Sequence, residues 1–426
     1  MAERSYRKKL IGNRRLSPET QMMGYGFDPS LSEMALKPPI FMTSTFAFNK
    51  AADGKSFFEV VTGKRELGED EEQGLIYSRF NNPDMEIFED RLALWEEAEK
   101  GLAFASGMAA ISTALLAYVR PGDVIVHCTP IYGATESLIR NILPTFGVHS
   151  VEFLAGTEED TLTPAIEEAN KLGRVAVIYG ETPGNPANTL VDMVEIAEMA
   201  AKVEAETDHR PITMIDNTFL GPVWQQPCKH GIDISLYSLT KYVGGHSDLI
   251  AGGAVGSRAA LAPVQKFRSA LGTMTDANTA WLLMRSLETV QIRFERAAEN
   301  AKKVATYLKD HPKIDKVHFL DFLPEGRSRR IYEEQCQSAG STFAFEVKGG
   351  EEEAFKVLDA FKVIKLAVSL GGTETLCSCP YSMTHSGVAD DLKARLGITP
   401  QLLRISIGIE NPDDLIADLE QALAEI

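Results

Sequence analysis

From about residue 85 onward, stretches with apolar residues at helical spacing alternate with short β-rich runs at 124–128, 175–180, 213–216 and 234–240. This alternation predicts an α/β protein with a mainly parallel sheet covered by helices. The pattern over 291–309 predicts one long helix leading from this large domain to a smaller C-terminal α/β domain. There, residues 341–347, 365–369 and 403–407 have the composition of strands. Asn411-Pro412-Asp413-Asp414 then supplies an N-cap, a first-turn proline and two acids for a closing helix. The first 35 or so residues lack strong periodicity and predict an extended arm. Residues 53–75 hold Gly54, Gly63, Gly68 and Gly74 beside the acidic run Glu69-Asp70-Glu71-Glu72, which predicts a surface loop. The expected division is therefore 1–75 as arm and loop, 76–290 as the large domain and 291–426 as the C-terminal domain. No repeat or low-complexity stretch interrupts it.

Length and charge narrow the function. At 426 residues the chain can bury two cores. A net charge of −17 and a pI of about 5.0 argue against nucleic acid or an anionic membrane as partner. The longest apolar runs contain polar residues and are too short to span a bilayer, and the basic start lacks a signal-peptide core. A soluble cytoplasmic protein is the expectation. The five cysteines are an odd number without a framework spacing. Cys377-Ser378-Cys379 lies near His385, but no second pair completes a four-ligand set, so no metal is expected.

The chemistry concentrates around Lys241, in Ser238-Leu239-Thr240-Lys241-Tyr242-Val243-Gly244-Gly245-His246. A lysine following a β-rich run and preceding a glycine pair sits at a strand end. Ser238 and Thr240 flank it at spacing two, on one side of an extended segment. An amine so placed suits a Schiff base with an aldehyde cofactor whose phosphate needs nearby donors. A lone lysine after Ser/Thr is more often a solvated surface residue. Asp216 ends the apolar run 211–216 about one βα unit earlier; it serves equally as a cap for Asp216-Asn217-Thr218 or as partner to a protonated pyridine nitrogen. Upstream, Ser106-Gly107-Met108 opens an apolar helix whose first N–H groups form an anion site.

Taken with Tyr77-Ser78-Arg79, Asn82-Pro83, Tyr132-Gly133, Asn185-Pro186, Met383-Thr384-His385 and Arg404-Ile405-Ser406, these segments resemble the Cys/Met-metabolism family of pyridoxal-phosphate enzymes. The resemblance runs from about Pro38 to the C-terminus. It implies fold type I of the PLP-dependent transferases, pyridoxal 5′-phosphate as cofactor and a small amino acid as substrate. It further implies a homo-oligomer, a dimer forming the active sites and paired dimers a tetramer. Lys241 would hold the cofactor and then act as base and acid. Asp216 would pair the ring nitrogen, and Tyr132 would stack on the ring and help move protons. Gly107, Met108, Ser238 and Thr240 would hold the phosphate, joined by Tyr77 and Arg79 from the neighbouring subunit. Arg404 would grip the substrate carboxylate with Asn185, Ser369 and Thr384. His246 and His385 are expected to be packed side chains beside these motifs. Cys377 and Cys379 are expected close enough to the pocket to meet thiol reagents.

The residue before Ser369 distinguishes reactions within the family. Cystathionine-handling members tend to carry glutamate there, whereas methionine γ-lyases carry an apolar residue, as Val368 is. Without a carboxylate for a distal amino group, a small thioether is favoured. Against this, Ala134 stands where methionine γ-lyases place a cysteine, and Ala277-Asn278-Thr279 replaces the usual Pro-x-Asp. The expectation is γ-elimination of methionine or homocysteine. γ-Replacement on an activated homoserine ester and cystathionine γ-lysis are the alternatives, and a non-catalytic binder of pyridoxal phosphate comes after them.

Overall fold

Apolar β-branched runs build the centre of the protein. The computed structural model describes residues 6–66, 68, 74–388 and 390–426. Seven strands form one sheet: β1 (Lys100–Phe104), β2 (Asp123–Thr129), β3 (His149–Leu154), β4 (Arg174–Glu181), β5 (Ile212–Asp216), β6 (Ile234–Ser238) and β7 (Gly252–Gly256). Their order is β1-β7-β6-β5-β4-β2-β3. Strands β2 to β6 are joined by parallel ladders, and only β7 runs against its neighbours. Every residue of β2 is buried, as expected where helices cover both faces.

One face packs against α3 (Gly107–Tyr118), α4 (Arg258–Leu271) and the helices Leu162–Leu172 and Met193–Thr207, through Ile111, Leu115, Leu261, Ile166 and Ile196. The other packs against α2 (Pro83–Trp95) and α5 (Ala277–Leu287) through Phe88, Leu92, Leu283 and Leu287. The helix predicted over 291–309 is α6 (Val290–Lys309). Beyond it lies a second sheet of β8 (Ile314–His318), β9 (Thr342–Val347), β10 (Lys365–Leu366), β11 (Leu376–Ser378) and β12 (Leu402–Ser406), in the order β8-β9-β12-β11-β10. Only the β10–β11 ladder is parallel. Asn411 caps the closing helix α7 (Pro412–Leu423) by accepting from Asp413 N.

Several expectations change. Residues 53–75 are not a loop throughout, because α1 occupies Ala51–Val61, opened by the Asp53 carboxylate on Lys50 N (3.1 Å). The acidic run 69–72 lies outside the described residues. The arm is not simply extended: it holds a two-residue ladder, a short helix Pro18–Met22 and a single turn Pro29–Leu31. Met22 and Phe27 pin it to the α2 side of the core. The strand expected at 365–369 stops at Leu366, where the chain leaves the sheet for a bend carrying Ser369 at φ 90°. β7 gave no strand signal because three of its five residues are glycine. One of them, Gly252, has to be: a Cβ there would lie 2.0 Å from Ser106 O.

Both sheets are joined near the cavity. Tyr242 donates or accepts with Thr342 Oγ1 (2.6 Å), and Arg293 of α6 donates to Tyr242 O (2.8 Å) and Val243 O (3.2 Å). None of the described helices is long and apolar enough to cross a membrane. All five cysteines are unpaired thiols.

A buried ion pair anchors the strand that leads into the cavity. Arg268 of α4 donates to Glu89 and to Ala103 O (2.8 Å), while Glu89 accepts from Ala103 N (2.9 Å). Arg268→Ala would leave the Glu89 carboxylate buried without its cation. The expected cost is about 3–5 kcal/mol, read as a lowered urea midpoint with an unchanged m-value. A midpoint within error of wild type would show that the pair contributes nothing net.

Candidate active site

The carboxyl ends of parallel strands leave a crevice, the usual ligand position in such sheets. Here a 540 Å³ cavity opens at those ends, and the bend at Ser369 closes its far side. Glu181 ends β4, Asp216 ends β5 and Ser238 ends β6, so each is fixed by a buried ladder. Lys241 follows in the turn after β6, with Nζ donating to Ser369 Oγ at 2.6 Å. Burial, with the charge of Arg404 behind it, pushes its ammonium down to about 8.

Asp216 uses only one oxygen inside the protein. Its Oδ1 accepts from Thr218 N (3.1 Å) and Thr218 Oγ1 (2.5 Å), leaving Oδ2 without a partner among the described residues. Thr218 Oγ1 also accepts from Ser238 N (2.8 Å), coupling Asp216 to the strand end beside Lys241. Glu181 lies in register with Asp216 on the neighbouring strand. Burial raises both carboxyls, and the charge of Asp216 raises Glu181 further. Glu181 Oε2 accepts from Tyr132 N (2.7 Å) and Oε1 from Asn185 N (3.1 Å).

At one end of the cavity α3 begins. Ser106 Oγ accepts from Ala109 N (3.0 Å), so the preceding N–H groups of Gly107 and Met108 remain for a ligand. Gly107 abuts Ser238: a Cβ there would lie 3.0 Å from Ser238 Cβ and 3.1 Å from its Oγ. The Ser238 hydroxyl has no partner among the described residues, so it is free to donate. Thr240 also lines the cavity, but its hydroxyl donates to Ala251 O (3.2 Å) and accepts from Ala251 N (3.0 Å).

At the opposite end Arg404 of β12 is buried. Its Nη1 donates to Asn185 Oδ1 (3.0 Å) and Nη2 to Ser369 O (3.0 Å), while Nε has no partner. Thr384 lines the same region, its hydroxyl 2.9 Å from His385 Nδ1. Tyr132 and Val368 stand half-open on the cavity wall. The cavity thus accommodates pyridoxal phosphate: an anion cradle at α3, an amine in the middle, an unpaired carboxylate oxygen at the floor, and a guanidinium opposite.

Other expected residues fall elsewhere. Tyr77 and Arg79 line a separate 530 Å³ cleft with Thr43, Met274 and Asp276; Ile250 alone borders both spaces. Arg79 donates to Ser269 O, and its guanidinium lies 4.4 Å from the Phe80 ring centroid. His246 is not packed but exposed, 2.7 Å from Gly244 O. His385 is buried, and burial with nearby Arg404 pushes it down to about 4, so it is neutral at pH 7. Cys377 and Cys379 are buried off the cavity lining, which corrects the expected exposure to thiol reagents. Ala134 lies in the short helix Gly133–Ser137, and residues 277–279 open α5 under the Asp276 cap.

Glu181, Thr218 and Arg293 escaped the sequence reading. The argument that singled out Asp216, an acid ending an apolar strand, applies unchanged to Glu181. Nothing in the sequence marks Arg293, two of whose partners are main-chain carbonyls about fifty residues away.

Comparison with known proteins agrees with this geometry. The family described as Cys/Met metabolism PLP-dependent enzyme matches residues 19–424. The L-methionine gamma-lyase of Fusobacterium nucleatum is 37% identical over 394 residues, spanning 92% of this chain and 94% of the relative. The cystathionine gamma synthase of Xanthomonas oryzae has a similar structure, with a TM-score of 0.85 and 29% identity over 97% of this chain and 99% of that one. A putative O-acetylhomoserine (thiol)-lyase of Campylobacter jejuni reaches a TM-score of 0.86 at 28% identity, covering 96% of this chain and 100% of that one. That structure carries a pyridoxyl-lysine monophosphate.

Proposed function

Because the chain belongs to the Cys/Met-metabolism family of PLP-dependent enzymes, we propose that it cleaves the Cγ–S bond of L-methionine or L-homocysteine. Water is consumed, and ammonia, 2-oxobutanoate and methanethiol (from homocysteine, hydrogen sulfide) are released. One observation carries the choice of substrate: every charged residue of the cavity lining is buried or half-buried, and none stands among its exposed residues. The charged residues are Glu181, Asp216, Lys241 and Arg404; the wall toward the mouth is formed by Val368, Ile250, Met383 and Tyr132. A distal ammonium, as in cystathionine, would find no carboxylate partner there, whereas a methylthio group meets apolar surface. The likeness to L-methionine gamma-lyase supports the same reading.

Bound pyridoxal phosphate supplies an electron sink for negative charge at the substrate α-carbon. The remaining tasks fall to this chain. Arg404, held by Asn185 and Ser369, fixes the α-carboxylate. Asp216 Oδ2 would pair with the ring nitrogen and hold its proton in place. The start of α3 and the Ser238 hydroxyl hold the phosphate; Thr240 joins them only if its bond to Ala251 O opens. Lys241 Nζ takes the proton from the substrate α-carbon, a task suited to an amine whose pKa burial has lowered to about 8. The Tyr132 hydroxyl moves a proton near the departing sulfur.

Tyr77 and Arg79 then belong to the partner's site. Their cleft opens beside the cavity at Ile250, which supports a dimer whose subunits exchange phosphate ligands. Pairing of dimers into a tetramer, a cytoplasmic location and the division at residues 75 and 290 complete the proposal; a distinct apolar core formed by the second sheet with the later half of α6 supports the boundary near 290.

γ-Replacement is the competing reading, favoured by the likeness to cystathionine gamma synthase and O-acetylhomoserine (thiol)-lyase. Pure protein incubated with methionine is expected to release methanethiol and 2-oxobutanoate. A parallel incubation with O-acetyl- or O-succinylhomoserine plus a thiol should form replacement product more slowly. No thiol from methionine with rapid replacement product would reverse the assignment.

A further inference from the structure

The buried carboxyl of Glu181 has no part in the proposed chemistry, yet it lies at the junction of the two halves of the cavity. Its side chain is 4% exposed, and no ion pair involves it among the described residues. Each oxygen accepts one main-chain N–H. Tyr132 N belongs to the turn after β2 and Asn185 N to the turn after β4, at 2.7 and 3.1 Å. Asn185 in turn accepts from Arg404 Nη1 at 3.0 Å. The result is a continuous path from Tyr132 through Glu181 and Asn185 to Arg404. A third contact fixes the strand end itself, since Glu181 N donates to Cys128 Sγ at 3.2 Å.

We propose that Glu181 is a positioning residue: it sets the spacing between Tyr132 and the Asn185–Arg404 pair, and so determines how strongly the enzyme prefers α-amino acids to plain amines. The inference rests on the reading above, in which Arg404 and Asn185 hold the substrate carboxylate. Its physical basis is that both oxygens must be acceptors. Glutamine offers one acceptor and turns an NH₂ donor toward the other N–H. Aspartate keeps the carboxyl but is one methylene shorter, so it cannot span both donors. Either change leaves a buried N–H unpaired and frees one turn to move. The cofactor contacts at α3 and Lys241 lie outside this path.

The test uses the holoenzyme and two probes without a γ-sulfur. Glycine carries an α-carboxylate and methylamine does not. Each is titrated against the visible band of wild type, Glu181→Gln and Glu181→Asp. Wild type should bind glycine far more tightly than methylamine. In both variants the glycine affinity is expected to fall by about tenfold or more, as loss of one buried hydrogen bond allows, while methylamine affinity stays near wild type. Equal losses for both probes, no loss for either, or failure of both variants to fold with cofactor would overturn the inference and make Glu181 a stability residue. A wild type without preference for glycine would sink the underlying reading of Arg404 as well, and Arg404→Lys, measured alongside, separates these cases by retaining the wild-type preference only if that reading is wrong.

Discussion

Lys241→Ala is expected to fold and assemble as wild type while turnover falls by about 10³-fold or more, the combined loss of a nucleophile and a general base. The reason is local. Among the residues lining the cavity Lys241 is the only lysine, so no second amine can take its place. The turn that carries it is held by Arg293 on Tyr242 O and Val243 O, and by Tyr242 against Thr342, none of which needs the lysine side chain. The variant should bind pyridoxal phosphate through its phosphate contacts but lack the visible band of the lysine-bound cofactor. A pH dependence follows from the same burial. Only the neutral amine attacks an aldehyde, and with its pKa lowered to about 8 roughly 10% of Lys241 is neutral at pH 7, against a negligible fraction for an ordinary lysine at 10.5. Reconstitution of cofactor-free enzyme should therefore speed up about tenfold from pH 7 toward pH 9 and then level. Stopped-flow absorbance measures it. A rate still climbing steeply above pH 9 would mean that the amine is solvated, and wild-type turnover in the alanine variant would remove Lys241 from the mechanism.

How much of this was legible in the sequence depended on whether the signal was local. Four of the five parallel strands were visible because each is an apolar run largely buried on both faces, and Asp216 because an acid ending such a run demands a partner; β3 was missed, since this edge strand interleaves His149 and Glu152 with its apolar residues and is only partly buried. β7 was not visible either, since three of its five residues are glycine, Gly252 serving the close approach of Ser106, and carry no hydrophobic pattern. α1 was hidden by counting glycines across 53–75 instead of noting the helical stretch that precedes most of them. Within the site, Lys241, Asp216, Ser238 and Arg404 converge on one cavity as their motifs implied. Tyr77 and Arg79 do not reach it in a single chain. Glu181 carries the same signal as Asp216, an acid ending an apolar strand, while Thr218 stood inside the Asp216-Asn217-Thr218 segment and only the fold shows that it holds Asp216 and Ser238 N. Cys377 and Cys379 misled for a different reason: proximity along the chain to Thr384 placed them near the pocket, whereas both side chains are buried in the core of the second sheet.

Arg404→Lys should raise the KM for methionine by about a hundredfold with far smaller effects on kcat and on cofactor content. Arg404 is buried at 4% exposure, and two of its five N–H groups are committed, to Asn185 Oδ1 and Ser369 O at 3.0 Å each. Three remain for a carboxylate, including Nε, which no protein group satisfies. Lysine keeps the positive charge but replaces this planar fork by a single ammonium, which cannot grip two carboxylate oxygens while also holding Asn185 and Ser369. Charge-assisted hydrogen bonds contribute about 1.5–3 kcal/mol each. Losing one of the pair, with the charge retained, amounts to about 3 kcal/mol, or two orders of magnitude in affinity. The carboxylate contact is made in the substrate complex and persists as the α-proton leaves, so the loss is one of uniform binding and falls on KM. The phosphate cradle at α3 and the Asp216 carboxylate lie at the other end of the cavity, so cofactor occupancy by absorbance should not change. Steady-state kinetics at saturating cofactor decides the matter: an unchanged KM with depleted cofactor would place Arg404 against the cofactor and not the substrate.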